Sequence, residues 1–347
     1  LADPAADATA RRRARNVVAG EVRLPSPSEI PLAPVPGTPE HARLSALGEA
    51  ALRRGELAFC VMAGGMATRM GGVVKALVEA CAGKTFLQLR LAENASWSAR
   101  GERPLPLWLM VSDATEEPTK AALASAGAPA HVRTFLQGMG LRLTPSGQLF
   151  RDEAGEPSSY STGHGDLVDA LRRSGFLGEF RAAGGKYVWI ANLDNLGATV
   201  DPAILGHFIE TGREVMVEVC EKAAGDKGGI PVHALGRLQV LEEFRLPEGV
   251  DPAQVRVFNT NTFVVSARAL AETPIEWHWF EVEKKVGGAV AIQFERLLQE
   301  LTAALDAAYL TVPREGVRSR FLPVKDPDEL VRRRAEIEAV ARTRGML

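Results

Sequence analysis

The chain has 347 residues, more than the usual single domain, so either one large domain with appendages or two domains is expected. Apolar residues make up 46%, charged residues 24% and aromatics 6%, which excludes a disordered or fibrous protein. A net charge of -2 speaks against bulk electrostatic capture of nucleic acid. Cys60, Cys81 and Cys220 lie far apart, with neither zinc-ligand spacing nor the look of a disulfide framework, so a reducing cytoplasm is the expected compartment. No apolar run approaches the roughly 18 residues that span a bilayer. The first residues also lack the apolar core of a signal peptide.

In chain order, the basic cluster Arg11 to Arg15 reads as the solvated face of a short helix. Residues 24–39 carry six prolines and must be extended, which divides the chain into an extension (1–40), a body (41–326) and a charged C-terminal helix (327–347). In the body, strands are predicted at "LAFCVMA" (57–63), "LPLWLMVS" (105–112), "HVRTFL" (131–136), "KYVWIANL" (186–193) and "EVMVEVC" (214–220). Helices are predicted near Thr85 to Trp97, Glu117 to Ala126, Asp166 to Ser174, and after Asp201. Near-continuous apolar strands between amphipathic helices predict an α/β fold with a mostly parallel mixed sheet covered on both faces. Ligands then bind at the carboxyl ends of the strands.

"MAGGMATRMGG" follows the first strand, and Gly64 and Gly65 let backbone N–H groups approach an anion with no Cβ in the way. The spacing fits neither a P-loop nor a dinucleotide fingerprint. Lys75, at the far end, is placed to set a point charge on a phosphate. Asp194 follows the strand "YVWIAN" and so falls at its carboxyl end, as a ligand for a hard cation or simply as part of a turn with Asn195. Gly163 and Gly165 flank His164 in a bend suited to a ligand, while Asp166 reads as the N-cap of the next helix. Gln137 carries donor and acceptor edges able to pair with the edge of a nucleobase, a surface glutamine being the alternative. Strand alternation in "FNTNTFVV" puts Asn259 and Asn261 on one face, where amides can bind sugar hydroxyls.

These motifs resemble, in order, those of the eukaryotic-type UTP–glucose-1-phosphate uridylyltransferases, members of the nucleotide-sugar pyrophosphorylases. The glycine loop is similar to "L-x-G-G-x-G-T-x-x-G…P-K", and "GHGD" (163–166), "ANLDNLGATVDP" (191–202), "FNTNTFVV" (258–265) and "FLPVK" (321–325) follow. The resemblance covers roughly residues 57–330 and implies a nucleotide-diphospho-sugar transferase fold. It also implies a Mg²⁺-dependent reaction in which UTP and a sugar 1-phosphate give a UDP-sugar and pyrophosphate. Glucose 1-phosphate is favoured by "LDNLGATVD", with N-acetylglucosamine 1-phosphate the alternative. By resemblance, Asp194 contacts the metal, Asn192 lies near the sugar phosphate, and His164 and Gly165 contact sugar phosphate and nucleotide. Glu218 and the backbone of Gly228 and Gly229, from "EVCEKAAGDKGG", then face the sugar with Asn261. Lys325 reaches a phosphate together with Lys75, a noticeable choice in a chain with nine lysines among its 41 basic residues.

The chain departs from the family at Ala67, where the family has glycine, and has one residue fewer between Gly71 and Lys75. An alanine forced to positive φ would be strained, which keeps a nucleotide-sugar binder without turnover as a further alternative. "GGAVAIQF" (287–294) loosely matches the family's glycine-alanine helix. Few residues follow "FLPVK", so the family's C-terminal β-helix domain is expected to be absent.

Overall fold

The computed structural model describes residues 16–67, 71–226 and 228–347. The basic cluster Arg11 to Arg15 and the N-terminal helix expected around it lie outside the described residues. The centre is a seven-stranded sheet. Its strands, in chain order, are β1 (Leu57–Met62), β2 (Leu107–Val111), β3 (Val132–Leu136), β4 (Tyr187–Asn192), β5 (Val215–Glu221), β6 (Val257–Ser266) and β7 (Ala307–Thr311). In space they run β3-β2-β1-β4-β6-β5-β7. All neighbours are parallel except β6, which is antiparallel to both β4 and β5.

The residues explain the layering. Along β1 and β2, Leu57, Phe59, Val61, Leu107, Leu109 and Val111 enter one core, while Ala58, Cys60, Trp108 and Met110 enter the core on the opposite face. Period-2 alternation of apolar residues on both sides is what a doubly covered sheet requires. Seven helices supply most of the cover: α1 (Pro39–Arg53), α2 (Phe86–Ser98), α3 (Asp113–Ser125), α4 (Leu167–Arg173), α5 (Phe176–Ala182), α6 (Pro202–Thr211) and α7 (Pro327–Thr343). Their starts are written locally. Thr85 and Gln88 exchange backbone N–H groups in a capping box at α2, at 3.2 and 2.9 Å. Asp201 accepts from Ala203 and Ile204 at α6, and Asp326 accepts from Glu329 at α7.

Three expectations change. The helix expected near Glu117 begins at Asp113, because Thr115 Oγ1 accepts the Ser112 N–H at 2.9 Å and fixes the start upstream of Pro118. The segment 287–294 is not helical. Phe280–Val286 and Ala289–Glu295 form an antiparallel hairpin closed by Gly287 and Gly288, with φ of 56° and 81°. Two positive-φ residues in a two-residue loop select this turn, and the alternation of Val290, Ile292 and Phe294 suits strands. The proline-rich stretch does more than separate the chain ends: Ala33 donates to Thr311 O and Thr311 donates to Pro31 O, each at 2.8 Å, so it runs along the outer edge of β7. Among the described residues, no helix is long and apolar enough to cross a membrane.

Candidate active site

In this strand order the chain path reverses between β1 and β4, and a crevice opens beyond their carboxyl ends. From β1, Gly64 and Gly65 lead into the two-residue strand Met66–Ala67, which pairs antiparallel with Val73–Val74. The hairpin returns Lys75 to the start of the turn, where its N–H donates to Gly65 O at 3.3 Å. Ala67 therefore has extended backbone, and the expectation of strain at that position is not met. The residues between Ala67 and Gly71 lie outside the described residues.

Beyond β4, Asp194 pairs with the Lys75 ammonium through Oδ2, both side chains being mostly buried at 15% and 19% exposure. Its Oδ1 makes no hydrogen bond among the described residues. The loop carrying Asp194 is braced from behind. Asn195 donates through Nδ2 to Arg320 O at 3.0 Å and accepts the Leu322 N–H through Oδ1 at 2.7 Å. Asn195 is thus a buried cross-link to "FLPVK". Gly197 sits so close to that segment that an added Cβ would lie 2.7 Å from the Arg320 carbonyl carbon. Gly197→Ala is expected to cost about 1–3 kcal/mol of stability through overpacking against backbone that cannot yield. Urea titration at neutral pH checks this.

On the other wall, β3 ends at Gln137, which is buried rather than a surface residue and donates to Gly163 O at 2.7 Å. His164 accepts the Leu298 N–H on Nδ1 at 3.0 Å. Burial pushes its pKa from 6.5 down to about 4, so the ring is neutral at pH 7. With Nδ1 occupied as an acceptor, the proton resides on Nε2, making His164 a neutral donor. Once unfolded, the same ring would take a proton below about pH 6.5, so the unfolded state binds more protons between that value and pH 4. Stability is expected to fall as pH drops through this window. Between pH 7 and pH 4.5 wild type should lose about 2.5 kcal/mol more than His164→Gln, which denaturant titrations at the two pH values check.

Asp166 does not cap α4 with its side chain. Buried to 1% exposure, it binds the Gly138 N–H and pairs with Arg296 and Arg173, which tie the Gln137 loop to the His164 bend. Its place immediately before the helix suggested a cap, but the Gly138 N–H and the two guanidinium groups compete for the carboxylate and win.

Gly64, Gly65, Lys75, Gln137, His164, Asn192 and Asp194 line one cavity of about 330 Å³. Asn192 also accepts from Asn261 Nδ2 at 3.0 Å. Asn261 stands in a bulge: Glu218 faces Thr262 but Val219 faces Asn259, so Thr260 and Asn261 are extra, and Asn261 has φ of 60°. Simple alternation, which would set Asn259 and Asn261 side by side, is broken there. Instead Asn259 Oδ1 accepts the Asn261 N–H at 2.8 Å. Among the described residues, the buried Asn261 Oδ1 has no hydrogen-bond partner.

Other expected site residues are placed elsewhere. Gly165 lies against Arg296, where an added Cβ would come within 2.8 Å of backbone, and its N–H donates to Arg296 O at 2.9 Å. Glu218 is fully buried, gives both oxygens to Arg320 at 2.6 and 2.7 Å, and does not line the cavity. Gly229 packs against Val240, and its carbonyl accepts the Asn259 N–H at 2.8 Å. Gly228 lies against the Phe258 ring. Lys325 is exposed and does not line the cavity. Sequence reasoning missed Arg90 and Glu93 on α2, two charges on the apolar face of a helix that grip the Asp194 loop.

This strand order, with a glycine turn and a lysine–aspartate pair at the switch point, is an α/β fold of nucleotidyltransferase type with a ligand crevice where such folds carry it. The chain belongs to the UTP–glucose-1-phosphate uridylyltransferase family, whose model matches residues 38–343. It is 33% identical over 297 residues to UTP–glucose-1-phosphate uridylyltransferase of Musa acuminata, covering 80% of this chain and 62% of that protein. It spans about three fifths of the length of the curated relatives it matches. Its fold is similar to that of a UDP-glucose phosphorylase from Trypanosoma brucei (TM-score 0.77, 23% identity, 94% of this chain and 73% of that one). It is also similar to that of the uridine diphosphate N-acetylglucosamine pyrophosphorylase from Trypanosoma brucei, with a TM-score of 0.73, 20% identity and coverage of 95% and 79%. The fold is common to both sugar classes.

Proposed function

We propose that this chain is a Mg²⁺-dependent uridylyltransferase that makes UDP-glucose and pyrophosphate from UTP and glucose 1-phosphate. The carrying observation is the single cavity that gathers the glycine turn, Lys75, Gln137, His164, Asn192 and Asp194 at the switch point. A phosphate oxygen of the sugar attacks the α-phosphorus of UTP, a new P–O bond forms, and the bond to the β-phosphate oxygen breaks to release pyrophosphate. The attacking oxygen is already ionised, so no side chain needs to remove a proton; alignment and charge neutralisation suffice.

Each residue has a part that its chemistry supports. Gly64 and Gly65 admit phosphate oxygens to the backbone, and Lys75 supplies a positive charge beside them. Neutral His164 donates from Nε2 without adding charge. Asn192 and Asn261 hold the sugar phosphate and a hydroxyl, and Gln137 offers its remaining amide edge to the base. Among the described residues there is no cluster of three or more His, Cys, Asp or Glu that could hold a metal ion unaided. Among the described residues, Asp194 is the one carboxylate lining the cavity and its Oδ1 makes no hydrogen bond, a donor set that fits Mg²⁺, which takes few protein carboxylates and fills its shell with phosphate and water. Bound there, Mg²⁺ would neutralise charge on the triphosphate.

Glucose is favoured by the family model, and the extended backbone at Ala67 removes one of the two motives for a binder without turnover, the other being the shortened stretch between Gly71 and Lys75. The test is pyrophosphate release from UTP and Mg²⁺ with glucose 1-phosphate or N-acetylglucosamine 1-phosphate. Release with glucose 1-phosphate is expected; release with the other sugar alone would reassign the substrate, and silence with both would sink the reading.

A further inference from the structure

The loop that carries Asp194 is organised around a side chain that never reaches the cavity. Arg90, on α2, is fully buried and aims both terminal nitrogens into this loop. Nη2 donates to Asn195 O at 2.6 Å and to Asn192 O at 3.3 Å, and Nη1 donates to Ala198 O at 3.1 Å. Three carbonyls that bracket Asp194 on both sides thus converge on one guanidinium. The charge is balanced by Glu93, one turn on, whose Oε2 accepts from Nη1 at 2.8 Å while Oε1 accepts the Val200 N–H at 2.9 Å. Arg90 and Glu93 together hold residues 192, 195, 198 and 200. A fully buried ion pair is a poor source of stability compared with apolar packing, and what this one contributes is the fixed placement of four loop residues. The planar fork, with donors fixed in direction, is the feature a lysine could not reproduce.

We propose that Arg90, seated by Glu93, is a positioning residue that fixes the Asp194 carboxylate relative to Lys75 and so sets the metal-binding geometry for uridylyl transfer, an inference that rests on the function proposed above. Arg90→Lys keeps the charge and loses the fork. Hydrogen exchange over residues 193–199 is expected to quicken by at least about tenfold while the central sheet is unchanged. Turnover should drop by about a hundredfold, the Mg²⁺ concentration for half-maximal rate should rise about tenfold, and KM for UTP should stay within about threefold. Faster loop exchange with turnover and Mg²⁺ dependence intact would overturn the proposal, as would unchanged exchange. Should Arg90→Lys unfold globally, Glu93→Gln, which keeps an amide oxygen for the Val200 N–H, carries the same measurements. Should wild type release no pyrophosphate with either sugar phosphate, the uridylyltransferase reading fails on its own, and the catalytic half of the proposal fails with it. Loop exchange in the variant then still decides whether Arg90 is a clamp.

Discussion

Replacing Asp194 by alanine is expected to reduce pyrophosphate release by at least about a thousandfold, with the Mg²⁺ requirement raised beyond the concentrations that saturate wild type. The magnitude follows from the cavity having, among the described residues, one carboxylate in its lining to hold a hard cation. Folding should survive, because the loop is held by Asn195, Arg90 and Gly197 rather than by Asp194 itself. Titration calorimetry with UTP in the absence of metal provides the control: affinity within about threefold of wild type places the loss in the transition state. Turnover within tenfold of wild type would remove Asp194 from the reaction.

Lys75→Ala is expected to lower turnover by about a hundredfold to a thousandfold, the cost of removing one preorganised charge from a developing anion. Its signature should be opposite in one respect. Lys75 and Asp194 pair with each other in the ligand-free chain, so removing the ammonium leaves the carboxylate free and should lower the Mg²⁺ concentration needed for half-maximal rate. Because the two residues act on the same phosphates, the double variant should cost less than the product of the single effects. A Mg²⁺ requirement that rises in Lys75→Ala would show that the pair does not exchange partners when substrate binds.

Local signals carried most of the architecture. Apolar runs such as "LAFCVMA" and "KYVWIANL" become the adjacent parallel strands β1 and β4, and the motifs that follow them meet because the carboxyl ends of neighbouring strands must meet. Gly64, Gly65, Lys75, Gln137, His164, Asn192 and Asp194 were legible for that reason. Residues whose role is fixed by distant partners were not. Glu218 looks like a ligand until Arg320, 102 positions later, takes both its oxygens. Gly165 looks like a phosphate contact until Arg296 is found pressed against it. Arg90 carries a weak signal, a charge on the apolar face of α2, but the carbonyls it holds lie more than a hundred residues away and nothing local announces them. Asn261 escapes alternation because a bulge is a property of two strands together, and the sequence of one cannot show it.

The same loop is also gripped from a third side. Arg344, just beyond α7, donates to Gly197 O, to Thr199 Oγ1 at 2.8 Å and to Ser319 O at 2.6 Å. Burial, and then the nearby Arg320 charge, pull its pKa down to about 10, which still leaves it charged at neutral pH. Arg344 and Gly197 are separated by 147 residues, so a chain growing on the ribosome at about 5–20 residues per second makes the Asp194 loop many seconds before this brace exists. A growing chain can therefore lay down the early strands of its sheet with the Asp194 carboxylate still loosely held. The loop is braced on its third side only once the helix that closes its back has been made.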